Sequence, residues 1–326
     1  MTFSTFISSF WSSTRDGLIV GSIYALVALG YTLVYGVLRL INFANSEVFM
    51  LSAFGSFLAV RMLGLDVVDN PVRTGFALVG VMALCLVVSL VIGGLSAVIV
   101  ERVAYRPLRK SNAPRLVFLI SAIGASFAIS EAVGEWGFPF IENQKRKEYG
   151  LTKFFKREQL FKVFGADIYD SNVIVIVGAA LMAIILVLFV SRSRVGRGIR
   201  AVAQDAETAQ LMGVNVDRII LITFLVGGVM AGGAAFLYEL HTPYARFDVG
   251  FLLGVKAFTA AVLGGIGNVK GALLGGVLLG LIEAWGSSLF GADQNIGTIG
   301  AFITLVLVLM FRPSGLLGES LGRSKA

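Results

Sequence analysis

Nine apolar runs, each near the thickness of a bilayer, divide this chain, and no soluble fold can bury them all. They lie near Gly17–Leu38, Glu47–Leu63, Gly75–Val100, Leu116–Gly134, Asn172–Val190, Ile219–Leu240, Phe251–Val269, Gly271–Phe290 and Gly297–Phe311. About 17–25 apolar residues cross the hydrocarbon as a helix. Backbone polar groups must pair internally there, which leaves helices or a closed barrel. A barrel shows alternating segments of about 10 residues, and the runs here do not alternate. Charged residues make up 14% of the 326, against about 25% in soluble domains. The expectation is an all-α, polytopic helical membrane protein of about 8–10 transmembrane helices with broken or re-entrant segments. Residues 1–326 read as a single transmembrane domain.

The net charge of +7 sits at the borders of the runs, so it reads as membrane orientation rather than nucleic-acid binding. Glu101–Arg115 carries Arg102, Arg106, Arg109, Lys110 and Arg115 against one acid, and Arg192, Arg194, Arg197 and Arg200 form a second basic group. A third follows Phe311, with Arg312, Arg323 and Lys325. Short basic segments stay inside, which puts these three in the cytoplasm and, by counting crossings, the N-terminus outside. Met1–Asp16 has no basic n-region, and no small-residue cleavage site follows. One cysteine, Cys85, and one histidine, His241, exclude a disulfide framework and a thiolate or multi-histidine metal cluster. No HExxH, GxSxG or GxxxxGK[ST] occurs, so no enzyme and no ATP-binding loop is expected in this chain.

Two polar stretches interrupt the apolar pattern. Residues 135–171 form a charged excursion between runs. In it FFKREQLFKVF places Phe154, Phe155, Leu160, Phe161 and Phe164 near helical spacing, as in an amphipathic surface helix. The second stretch, Arg192–Arg218 (RSRVGRGIRAVAQDAETAQLMGVNVDR), is a polar island between two spans. From Gly198 to Gly213 its apolar residues Ile199, Val202, Ala203, Ala206, Ala209 and Met212 recur at three- and four-residue spacing. That predicts one short amphipathic helix, with Arg200, Gln204, Asp205, Glu207 and Gln210 on its polar side and Gly213 as the C-terminal stop.

Polar groups inside the runs are expensive and mark pathways when they face the bundle interior. The first break, Arg39–Glu47, offers Asn42, Asn45, Ser46 and Glu47. Asn45 or Ser46 could cap the following helix, and the helix N-terminus could equally meet a substrate carboxylate. Lys256, near the start of its run, could snorkel, pair with Glu131 or Glu283, or meet a substrate. A second break, GGIGNVKG, holds Gly264, Gly265, Gly267 and Asn268 in a stretch too loose for continuous helix. Leu40–Phe54 and Gly264–Gly276 faintly echo one another, each placing an asparagine break before an apolar run. Glycines spaced by four, Gly228–Gly232, Gly271–Gly275 and Gly276–Gly280, suit close helix contact.

The chain resembles the permease subunits of branched-chain amino acid ABC importers, specifically the Liv-type H subunit. Five blocks carry the resemblance, in order, over nearly the whole chain: GSIYALVALGYTLVYGVLRLINFANSEVFML from Gly21, ERVAYRPLRKSNAPRLVFLISAIGAS from Glu101, VGRGIRAVAQDAETAQLMGVNVDR from Val195, GVKAFTAAVLGGIGNVKGALLGGVLLGLIEAW from Gly254, and FRPSGLLGE from Phe311. The resemblance implies alternating access in a bacterial plasma (inner) membrane. It implies a second, M-type permease, two cytoplasmic ATPase subunits that hold ATP and Mg, and an extracytoplasmic substrate-binding protein, with no cofactor in this chain. It makes residues 191–218 a cytoplasmic coupling loop, with Arg200, Gln204, Asp205, Glu207, Gln210, Met212 and Gly213 toward the ATPase, and residues 135–171 an extracytoplasmic insertion. The substrate pathway that the polar breaks suggest runs past Asn42, Asn45, Ser46, Glu47, Lys256, Gly264, Gly265, Gly267 and Asn268. Two departures touch the substrate side: the family's INFAHG here reads INFANS, and residues 135–171 are longer and more charged than usual. Related permeases carry urea, short amides or other amino acids; an ion-coupled carrier or channel would leave the Arg192–Arg218 island unexplained.

Overall fold

A computed structural model describes residues 3–62, 76–111, 113–136, 148–150, 159–163, 166–242, 244–247, 249–289, 294–312 and 314–318. Helices dominate: α1 (Phe3–Leu38), α2 (Asn45–Met62), α3 (Phe76–Val100), α4 (Arg106–Lys110), α5 (Arg115–Trp136), α6 (Asp170–Arg192), α7 (Arg194–Gln204), α8 (Ala206–Leu211), α9 (Val216–His241), α10 (Val249–Gly264), α11 (Val269–Leu289) and α12 (Gln294–Phe311). Among the described residues, six stretches are long and apolar enough to cross a membrane, and two shorter apolar helices, Gly250–Gly264 and Thr298–Phe311, accompany them. The chain is therefore a polytopic helical membrane protein.

Burial ranks the helices. The most apolar window of α1 is 89% buried and that of α9 is 72%, whereas α5 and α6 reach only 17% and 22%. α1 and α9 form the centre, and α5 and α6 turn apolar side chains such as Ile120, Phe127, Ile184 and Ile185 outward. The four-residue glycine spacing accounts for two of the close helix contacts. A Cβ on Gly228 or Gly232 of α9 would collide with the backbone of α3 at Gly93 or Ser89, and one on Gly276 or Gly280 of α11 would collide with α1 at Ala25 or Gly21. In lipid, where apolar side chains gain little by leaving one another for acyl chains, such backbone approach is a main source of helix affinity. Ser89 closes the α3–α9 contact by donating to the carbonyls of Gly232 (2.7 Å) and Ser52 (3.2 Å).

Four elements differ from the sequence expectation. The basic segment after Val100 continues α3 through a π turn, Glu101–Tyr105, into α4. Pro107 is tolerated because it stands in the first turn of α4, where its missing N–H is not needed. The expected amphipathic surface helix is instead strand β2 (Gln159–Val163), paired antiparallel with β3 (Ala166–Tyr169); Phe154, Phe155 and Phe164 lie outside the described residues. Two further short strands, β1 (Glu148–Gly150) and β4 (Tyr244–Arg246), also pair antiparallel. The run expected over Phe251–Val269 stops at Gly264, because Gly265 adopts φ 107°, a conformation that favours glycine. The expected Gly198–Gly213 helix is broken in two at Asp205.

Arg15 donates to the carbonyl of Asp167 at 2.5 Å, so the β2–β3 hairpin sits toward the Phe3 end of α1. At the other end, Arg39 donates to the carbonyl of Ala203 in α7 at 3.0 Å. These anchors are 24 residues apart along α1, about 36 Å of helix, so the β2–β3 hairpin and α7 lie at opposite ends of α1.

Candidate translocation site

The first break is built from a helix that ends abruptly and another that begins inside the bundle. α1 stops because Arg39 takes φ 56°. The chain then turns through Asn42–Ala44, and Asn45 N, Ser46 N, Glu47 N and Val48 N donate to carbonyls of residues 42–44 at 3.2–3.3 Å. The amide donors at the start of α2, which could have met a substrate carboxylate, are already engaged by this turn. Ser46 does not act as the cap the sequence suggested: its hydroxyl donates back to the Phe43 carbonyl at 2.6 Å.

Asn42, Asn45, Ser46 and Glu47 are all buried, Glu47 completely. Glu47 Oε1 accepts from Ser126 of α5 at 2.9 Å and from Ser46 at 3.3 Å, while Oε2 is buried without a partner. Asn42 Oδ1 accepts the Tyr105 hydroxyl at 3.1 Å. The π turn brings Tyr105 there, and its ring packs against Phe224 at 5.1 Å; π turns recur at functional positions in helices. Across the break lies α10. A Cβ on Gly250 would stand 3.1 Å from Glu47 Oε2, and one on Gly254 would stand 3.0 Å from the Tyr31 hydroxyl.

The other pathway candidates do not join this cluster. Lys256 points away from the Gly250–Gly254 face and pairs with Glu283 of α11 at 2.5 Å, 12% exposed. Tyr24 donates to Glu283 Oε2 at 2.9 Å and Thr298 to Oε1 at 3.1 Å, so the network ties α1, α10, α11 and α12. Gly264, Gly265, Gly267 and Asn268 form the turn at the far end of α10, 14 residues or about 21 Å from Gly250. Asn268 caps α11 by accepting from Lys270 N at 3.0 Å and Gly271 N at 3.3 Å. The FRPSGLLG segment packs on the same turn: Leu316 N and Leu317 N donate to Leu263 O and Gly264 O at 2.9 Å, and Asn268 Nδ2 donates to Leu317 O at 2.8 Å.

The polar island presents a second candidate surface. α7 buries Ile199 and Val202, and Arg200 donates to the Val190 carbonyl. Asp205 breaks the periodicity because it caps α8, accepting from Glu207 N at 3.0 Å, Thr208 N at 3.2 Å and Thr208 Oγ1 at 2.6 Å. The Thr208 hydroxyl, followed by the Thr208 and Glu207 amides, holds the Asp205 carboxyl below its usual pKa. α8 ends at Gly213, φ 83°, where Gly213 N donates to Gln210 O and Val214 N to Ala209 O, both at 3.0 Å. This is the expected glycine stop in its Schellman form. Gln204, Glu207, Gln210 and Gly213 are exposed, and Leu211 and Met212 stand 87% and 80% exposed. Arg109 anchors the start of α9 nearby, bridging buried Glu101 and Asp217 at 2.9 Å each.

The sequence did not point to Tyr31, Tyr105, Ser126, Gly250 or Gly254. The π turn that delivers Tyr105 has no compositional mark, and the other four read as ordinary small or aromatic residues within apolar helices.

Comparison with known proteins places these features in a family. The high-affinity branched-chain amino acid transport system permease protein BraD of Pseudomonas aeruginosa is 42% identical over 310 residues, covering 93% of this chain and 94% of BraD. LivH of Escherichia coli K12, described in the same words, is 38% identical over 314 residues, with 93% and 94% covered. A solved chain of PsaBC from Streptococcus pneumoniae aligns over 98% of this chain and 97% of its own at a TM-score of 0.47 and 14% identity. Residues 13–311 match the family described as branched-chain amino acid transport system / permease component, and the chain belongs to that family.

Proposed function

We propose that this chain is the H-type permease half of an ATP-driven importer of branched-chain amino acids in a bacterial plasma membrane. In this reading the Asn42–Glu47 break lines the substrate path, and α7–α8 dock on the ATPase, with Leu211 and Met212 as the apolar contact and Glu207 and Gln210 beside them. The observation that carries it is the Arg39–Ala203 bond, which joins the end of the buried break to the exposed α7–α8 surface. A movement imposed on α7 by closing ATPases therefore reaches the residues beside the path. The chain itself performs no hydrolysis; ATP and Mg belong to two ATPase subunits. A second, M-type permease completes the path, and an extracytoplasmic binding protein delivers substrate toward the β2–β3 end. The sequence similarity to BraD and LivH, at 42% and 38%, supports the substrate class.

The experiment is reconstitution of the permease pair, ATPases and binding protein in proteoliposomes. ATP-dependent uptake of leucine, isoleucine and valine is expected, insensitive to ionophores. Uptake of urea or short amides instead, or uptake driven by an ion gradient without ATP, overturns the reading. Asn42→Leu and Asn45→Leu are expected to lower uptake while assembly persists; normal uptake in both removes the break from the path.

A further inference from the structure

The seam between the break and α10 has the makings of a substrate site that is closed in this structure. Glu47 is fully buried, and its Oε2 has no hydrogen-bond partner. A buried carboxylate oxygen without a donor is costly, and such atoms in folded proteins call for an explanation. Here the unpartnered oxygen faces Gly250, and one turn along the same face of α10 Gly254 meets the Tyr31 hydroxyl. One turn further, Phe258 packs against Phe43 at 5.6 Å and against Tyr31 at 6.0 Å. Among the described residues, the side-chain hydrogen bonds from the break to other helices run to α5, α7 and the π turn, not to α10. α10 can therefore part from the break without breaking a hydrogen bond, and its two glycines leave no side chain in the opening.

We propose that this seam opens to receive the substrate's α-ammonium at Glu47 Oε2, with the aliphatic side chain over Gly254, against Tyr31 and Phe258. The proposal rests on the import reading and names the group that this permease recognises. An ammonium supplies the donor that Oε2 lacks, as a charge-assisted hydrogen bond. Gly250, beside Oε2, to Gly254, beside Tyr31, is about 6 Å of helix, the scale of the distance from an amino group to a branched aliphatic end. An aromatic slot separates aliphatic side chains by only about 1–3 kcal/mol per methylene. The site thus accepts the amino-acid class and leaves choice among side chains to the binding protein.

Saturation-transfer NMR on the ATPase-bound permease pair in nanodiscs, without binding protein, tests this with leucine, isoamylamine and isocaproate. Leucine and isoamylamine, which carry the ammonium, are expected to receive saturation, and isocaproate, which lacks it, about tenfold less. Glu47→Gln is expected to abolish the leucine signal, and Glu47→Asp, which keeps the charge, to restore part of it. Equal signals from isocaproate and leucine, no leucine signal in the parent complex, or an unaltered signal in Glu47→Gln overturns the site. Loss of signal in Glu47→Asp as well as Glu47→Gln assigns Glu47 to folding and likewise overturns it. ATP-driven leucine uptake by the parent complex in the same lipid, with binding protein added, tests import separately: uptake without ammonium dependence of the saturation signal rejects the site alone, and no uptake rejects the reading beneath it.

Discussion

Arg39 and Ala203 are 164 residues apart in sequence and share a 3.0 Å hydrogen bond from guanidinium to backbone carbonyl. A non-glycine residue in the left-handed region costs about 1–2 kcal/mol, so Arg39 holds its position at a conformational cost. Arg39→Gly relieves that cost and cuts the link. The variant is expected to assemble and hydrolyse ATP, while leucine imported per ATP falls severalfold. Leucine counting against phosphate release checks this, and an unchanged ratio removes the link.

Asp205 and Glu207 have separable roles. The folded Asp205 pKa is depressed, so its capping contribution is complete above the ordinary carboxylate pKa of about 3.9 and is lost as pH falls through the lower folded value. Amide exchange at Glu207 and Thr208, corrected for intrinsic rates, is expected to show protection through neutral pH that disappears only in strong acid. Asp205→Ala is expected to lose it at all pH values.

Glu207→Lys leaves the cap in place and reverses an exposed charge beside Leu211 and Met212. ATPase affinity is expected to fall by about fivefold, a typical effect for a rim charge, with uptake and substrate-stimulated hydrolysis declining together. Equilibrium binding of the ATPase to permease nanodiscs measures it. Unchanged affinity would place the docking surface elsewhere.

Lys256 and Glu283 are each nearly buried at the junction of four helices. Lys256→Met alone leaves a buried carboxylate unpaired and is expected to destabilise by about 3–5 kcal/mol. Adding Glu283→Met is expected to recover much of that loss. Thermal unfolding of both single variants and the double variant gives the coupling, and additive losses would show that the pair is not interacting.

The spans were legible because bilayer length and apolar continuity are local properties of the chain. Gly213, Gly228–Gly232 and Gly276–Gly280 were legible for the same reason, since a stop or a small face needs only residues close in sequence. Asp205 misled because the apolar periodicity runs straight through it, and only its cap to Thr208 reveals the break. The polar composition of Glu101–Lys110 concealed a helix that Pro107 begins rather than ends. At the site, Asn42–Glu47 announced itself by polarity amid apolar runs. Its partners did not: Ser126 is 79 residues from Glu47 and Tyr105 is 63 from Asn42, and neither a serine in an apolar helix nor a tyrosine in a basic segment carries a sign of what it will face.

The glycine contacts between α3 and α9 have a mechanical consequence. Backbone lies against backbone at Gly93, Gly228 and Gly232, and Ser89 pins both α9 and α2, so no compressible layer of side chains separates the two helices. They form a stiff beam. α9 starts where α8 leaves off and ends beside Ser56, whose hydroxyl donates to Glu239. A push at Val216 therefore arrives about 39 Å away, over 26 residues of helix, with little lost to bending. The softer contact is the edge where Gly250 and Gly254 of α10 face the break without a side-chain hydrogen bond between them.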